Sequence, residues 1–184
     1  MLCIQLLSLQ IALPLPDDRA FYLSVDGTDF RIEEPTKFDR TWFSHKYKKA
    51  AVKYEVALDM DGHIVWINGP FRGSENDLAI FRRGLLHHIP AGKLVIADRG
   101  YRGEAVISFP NPADDDNVKD FKSAVMARHE TVNKRFKDFE ILRATFRHNN
   151  GDPLGNHGPI FKAIAVITQV KLEEGEPLFD VFAE

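Results

Sequence analysis

Asp26 in FYLSVDGT, Asp98 in KLVIADRGY and Glu130 in ARHETVNKRF are the side chains whose type and surroundings suit chemistry. The first two each follow an apolar, β-branched run and precede a turn sequence, which predicts a strand end where the last side chain meets solvent. Carboxylates gathered at a sheet edge repel one another unless a cation lies between them. An all-oxygen donor set suits hard Mg²⁺ or Mn²⁺. Two such ions about 3.5–4 Å apart activate a water or hydroxyl and stabilise the leaving oxygen of an in-line displacement at phosphorus. The acids therefore outline a metal-dependent phosphoryl-transfer site. Each also has a plainer reading: Asp before Gly is a turn former, Arg99 offers Asp98 a local ion pair, and Glu140 competes with Glu130.

The elements that must bring these residues together are legible as patterns. Residues 20–26 read as a strand, and 27–50 as polar and irregular. From 51 to 59, Val52, Tyr54, Val56 and Leu58 alternate, and a Met60-Asp61-Gly62 turn leads into a returning strand over 63–68. Ser74 is placed to cap a helix carrying Leu78, Phe81, Leu85 and Leu86 and ending near His87 or His88. Short strands over 93–98 and 105–109 come next. The acids at 114–116 and Asn117 suit a helix start, after which Val118, Phe121, Val125, Val132, Phe136 and Phe139 form one long amphipathic stripe. Glu130 falls off that stripe, on the side of Met126 and Asn133. A further helix is expected over roughly 160–172, after a loop NNGDPLGNHGP. The order predicts an α/β fold, a mixed five-stranded sheet flanked by helices, as one domain over 20–184 behind a leading segment 1–19.

Composition narrows the partners. With 184 residues, 44% hydrophobic and 28% charged, the chain has the material for one globular core. A net charge of −3 excludes coating of nucleic acid by a global basic field. Contacts to DNA must come from local patches, and Lys46, Lys48, Lys49, Lys134 and Arg135 are the candidates, the first three interleaved with Trp42, Phe43 and Tyr47. The single Cys3 excludes an internal disulfide framework and a cysteine zinc site. His87, His88 and His157 lack zinc spacing, and Asp77 reads as a first-turn acid that suits a helix dipole. No apolar run reaches membrane-spanning length, so no membrane partner is expected. The apolar stretch Leu2–Leu13 has the length of a signal core but lacks a basic start and a clear cleavage site, which points to a nuclear or cytoplasmic protein.

VDGTDF, GPFRGSENDLAIFR, ADRGY and RHETVNKRFKDF together resemble the DDE endonuclease domain of PIF/Harbinger-type transposases over most of residues 20–182, and HGPIFKAIAVITQ with GEPLFDV resembles its tail. The resemblance implies an RNase H-like fold with Asp26, Asp98 and Glu130 as a triad holding Mg²⁺ or Mn²⁺. It also implies DNA strand hydrolysis followed by attack of the freed 3′-hydroxyl on target DNA. Family members usually carry a helix-turn-helix region ahead of the first catalytic strand, whereas here only a short segment precedes Asp26. The expectation is therefore reliance on a separate DNA-binding partner protein, with oligomerisation open. The alternative is a catalytically silent, domesticated or truncated transposase domain that binds DNA or protein.

Overall fold

The computed structural model describes residues 20–37, 39–147 and 152–181; the leading segment 1–19 lies outside them. Six strands form one mixed sheet: β1 (Ala20–Arg31), β2 (Phe43–Ser44), β3 (Lys49–Asp59), β4 (Ile64–Arg72), β5 (Lys93–Ile96) and β6 (Ile107–Ser108). Four helices accompany it: α1 (Asp77–Arg83), α2 (Asp116–Asp138), α3 (Glu140–Arg143) and α4 (Pro153–Glu173). β1 is central. It pairs antiparallel with β3, from Leu23 opposite Asp59 to Arg31 opposite Ala51, and parallel with β5, from Ala20 opposite Lys93 to Ser24 opposite Ile96. β3 carries β4 and β2 on its far side, both antiparallel, and β5 carries β6 in parallel. A mixed sheet in this order, flanked by helices, is RNase H-like.

The period-two pattern of β3 does what it predicts. Val52, Tyr54, Val56 and Leu58 pack into a core with Phe136 of α2, Leu142 of α3 and Phe161 of α4. Alternate residues face the other way, where Leu23, Val25, Ala57 and Val95 meet Phe81 of α1 and Tyr101. At the near end of the sheet Phe21, Leu94 and Ile96 pack against Phe121 and Val125 of α2. α2 and α4 thus cover one face of the sheet and α1 the other.

Asn76, not Ser74, caps α1, its side-chain oxygen accepting the Ala79 N–H at 3.2 Å, and three further expectations change. β1 does not stop at Asp26 but runs through Gly27 to Arg31, because its antiparallel pairing with β3 continues after β5 has ended. The stretch 27–50 is correspondingly less irregular than its polarity suggests, and β2 brings the sheet to six strands rather than five. α4 begins at Pro153, since Asp152 caps it by accepting the Gly155 N–H at 2.9 Å and Pro153 takes a first-turn place where its missing N–H costs no intrahelical bond. The glycine-rich run that reads as loop is this helix's first turns, and it continues past Pro159.

Candidate active site

Ser24 on β1 and Ile96 on β5 are the last paired residues of the two parallel strands. Asp26 and Asp98 each lie two positions further on. The two acids therefore extend matched rows of the pleat, and both rows point at α2: the Ser24 hydroxyl lies 2.9 Å from His129 Nε2, and Ile96 packs with Val125. One helical turn beyond His129, the Asn133 side-chain amide donates to Asp26 Oδ2 at 3.4 Å. Glu130 sits next to this contact line. Its off-stripe side of α2, with Met126 and Asn133, lines one open cavity of about 900 Å³ together with Asp26, Asp98 and Lys134. A single amphipathic stripe could not reveal this, because α2 uses one face for the core and an adjacent face for the cavity.

The electrostatics follow from that placement. Burial, and then the charge of Asp98, push the Asp26 carboxyl up to about 6; the Gly27 N–H and Lys46 act in the opposite direction. Asp98 is exposed and begins a single 3₁₀ turn over Arg99–Tyr101, accepting the Gly100 N–H at 2.8 Å on Oδ1. Arg99 lines the cavity as a neighbour and makes no ion pair with Asp98 among the described residues. Glu140, the competing acid, is engaged on the surface with Arg143, three residues along.

A second cavity of about 420 Å³ opens on the α1 side and shares Asp26, Asp98 and Lys46 with the first. Asp77 belongs to its wall, and this is the site residue that sequence reasoning placed in a purely structural role. A Cβ on Gly27 would lie 2.6 Å from Asp77 Oδ1, so Gly27 is the residue that lets this carboxylate lie against β1. Lys53 of β3 holds it at 2.9 Å. Asp77 also lies near Gly100, whose own Cβ would stand 3.6 Å from Asp77 Oδ2. The helix dipole explains an acid at this point of α1 but not its docking between the Asp26 and Asp98 segments. The signal available in sequence was the GS-x-x-D run of Gly73, Ser74 and Asp77, which suggested a place near the site but was outweighed by the helix-dipole reading.

Behind the cavity, Glu55 of β3 is 1% exposed and accepts the Trp66 Nε1–H at 3.0 Å. Burial pushes its carboxyl up to about 7. The Tyr101 hydroxyl is buried among these acids and makes no hydrogen bond among the described residues. Burial, then Glu55 and Asp77, raise its pKa well above the ordinary value.

The basic candidates divide. Lys46 and Lys134 line the cavity with the acids, and Lys137 joins them. Lys48 and Lys49 line a neighbouring cavity. The Arg135 guanidinium donates to the carbonyls of Glu176 and Pro177 and so ties down the C-terminal segment. His157 is buried in α4, 2.7 Å from the Tyr54 hydroxyl, and His88 packs on Trp66 at 5.0 Å. Trp42 is buried while Phe43 is exposed.

A separate group, Asp59, Asp61 and His63, brings its ligand-type atoms within 4.8 Å of one another at the β3–β4 turn. Asp59 accepts the His63 N–H at 2.8 Å and faces its ring nitrogen at 3.2 Å, so the turn itself accounts for the cluster. Asp26, Asp98 and Glu130 do not form such a group.

The sheet order, with acids from a central strand, its parallel neighbour and a covering helix on one cavity, is the arrangement of an RNase H-like nuclease domain. The sequence pattern of the DDE superfamily endonuclease matches residues 25–169, and the chain belongs to that family. No curated protein and no solved structure matches it. Among the described residues no helix is long and apolar enough to cross a membrane.

Proposed function

We propose that this chain is a DNA strand-cleaving endonuclease of the PIF/Harbinger transposase type, with Asp26, Asp98 and Glu130 as ligands of Mg²⁺ or Mn²⁺. The observation that supports it most is the register: Ser24 opposite Ile96 sets the two aspartates side by side, on a cavity to which α2 contributes Glu130. The donor set fits a hard cation. It consists of three carboxylates with no imidazole or sulfur donor of histidine or cysteine on the same cavity wall. The Asp26 carboxyl is raised by burial first and then by the charge of Asp98, the repulsion that such a cation relieves.

When bound, divalent ions activate the attacking water or hydroxyl and stabilise the leaving oxygen. The chain's own residues hold and orient. The Gly100 N–H fixes one oxygen of Asp98, and the Asn133 amide steers Asp26. Lys46, Lys134 and Lys137 supply positive charge to a phosphate backbone that the acids alone would repel. The place of action is the nucleus or the cytoplasm.

The test is a nicking assay on supercoiled DNA with Mg²⁺ or Mn²⁺, comparing the wild type with Asp98→Ala. Loss of even an outer-shell partner of a metal ligand lowers activity about 10–100-fold, so loss of a ligand is expected to lower nicking by more than about 100-fold. Equal nicking by both proteins overturns the mechanism. Binding of DNA without nicking by either supports the silent, binding-only domain.

A further inference from the structure

Another cavity, similar in size to the one that holds the acids, has a basic wall. It measures about 920 Å³ and lies between the end of β1, the β2–β3 loop and the segment after α3. Cations line it from three parts of the chain: Arg31, Arg40, Lys48, Lys49 and Arg147. Arg31 donates to the Arg143 carbonyl and lies over the Tyr47 ring, so it is committed locally. Arg40, Lys48, Lys49 and Arg147 make no ion pair with a described residue. Three acids, Glu33, Glu34 and Asp39, also belong to the wall, but Asp39 is already paired with Arg72 at 2.8 Å. The cavity thus keeps an excess of positive charge in a protein whose net charge is −3.

Two features point to an extended single strand rather than a duplex. Phe43 is 38% exposed on this wall, with its ring edge-on to His45 at 5.4 Å, whereas its neighbour Trp42 is buried with Arg72 over its ring. An exposed aromatic inside a basic concavity matches unstacked bases, since every base has a face to stack and a duplex hides it. The tight β2–β3 connection, in which Lys48 adopts φ +56°, sets two adjacent lysines at the mouth of the cavity as backbone contacts. The volume is at the upper end of the roughly 300–1,000 Å³ typical of small-ligand pockets, enough for a nucleotide unit.

Shared wall residues set this cavity beside the acids. His45 and Ser74 line both it and the α1-side cavity, and that second cavity shares Asp26, Lys46 and Asp98 with the cavity that Glu130 lines. We infer that this basic, Phe43-bearing cavity is a binding site for a single-stranded DNA segment adjoining the phosphate at the acids, with Lys48 and Lys49 on its backbone and Phe43 under a base. The inference rests on the nuclease reading for its direction toward the acids, but not for the existence of the site.

Binding is therefore measured without cleavage, in EDTA, by fluorescence anisotropy of an oligo-dT strand and of a blunt duplex of equal length, across a salt series. Phe43 is exposed, so Phe43→Ala keeps the fold, and a Lys48→Glu/Lys49→Glu variant is checked by its melting curve. Expected are tighter binding of the single strand than of the duplex and an about tenfold loss with Phe43→Ala for the strand alone. Charge reversal should lower the salt slope by about 1.4, the equivalent of two single-strand phosphate contacts. Equal affinity for strand and duplex, or strand binding unchanged in both variants, overturns the site. If the lysine variant fails to fold, the Phe43→Ala comparison decides alone. The two ideas are separated by readout: binding in EDTA bears on this site alone, and the nicking result of Asp98→Ala bears on the nuclease reading alone.

Discussion

Asp26 is held where its charge is disfavoured. Its native carboxyl titrates near 6 because of burial and then Asp98, against an ordinary value of 3.8. Between those values the native state binds a proton that the unfolded state has released, so Asp26 stabilises the fold less as pH rises, and its deficit is complete above about pH 6. Asp26→Asn removes the deficit. At pH 7.5 the variant is expected to be more stable than wild type by about 1–3 kcal/mol and to be inactive as a nuclease. Urea melts at pH 7.5 and at pH 3.5 check this, because the gain should vanish at the lower pH, where both states are protonated. A second residue-scale prediction concerns Gly27, whose added Cβ would meet Asp77 Oδ1 at 2.6 Å. Gly27→Ala is expected to cost about 1–3 kcal/mol as it forces Asp77 away from Lys53. In an Asp77→Ala background the same change should cost much less, which a double-mutant cycle reads directly.

At the scale of elements, the contact between β1 and α2 sets the position of Glu130. Neither strand nor helix carries its acid alone: the register of β1 on β5 aligns the aspartates, and the seating of α2 on β1 brings Glu130 to the same cavity. His129 is 2% exposed and bonded to the Ser24 hydroxyl at 2.9 Å, a buried polar clasp one residue before Glu130. Ser24→Ala leaves that imidazole nitrogen without its partner and is expected to cost about 1–3 kcal/mol. Because the clasp seats α2, the variant should also bind Mn²⁺ more weakly than wild type by calorimetry. Unchanged metal affinity alongside the stability loss would show that α2 is seated by its apolar stripe alone.

For the whole molecule, buried histidines and buried acids act on stability in opposite directions. Burial lowers His129 to about 3 and His157 to about 4, so below pH 6.5 the unfolded chain takes up protons that the native chain refuses, and stability falls with pH. Asp26 near 6 and Glu55 near 7 do the reverse down to 3.8 and 4.5, since their native forms take up protons first. Between about pH 6 and 4.5 the two pairs offset one another, and below about 4.5 the histidines prevail. Thermal melts should show a plateau over that interval followed by a steep fall. An Asp26→Asn/Glu55→Gln variant should lose the plateau and decline from about pH 6.5, which compares the same protein with only the acids removed.

Sequence alone determined what depends on local pattern and residue type. The alternation of Val52, Tyr54, Val56 and Leu58, the apolar run before Asp98 and the long stripe of α2 each follow from a period that one element imposes on its own side chains. The same local character limits the reading at Asp26, where a turn-like Asp-Gly lies inside a continuous strand because β3 keeps pairing with it. It limits the reading at Pro153–Pro159 too, where capping by Asp152 and burial of His157 outweigh glycine and proline content. The placing of Asp26, Asp98 and Glu130 on one cavity wall and the approach of Asp77 over Gly27 were decided only in three dimensions. Strand register, helix seating and the absence of a side chain at one glycine are relations between distant segments, and no window of sequence contains both partners.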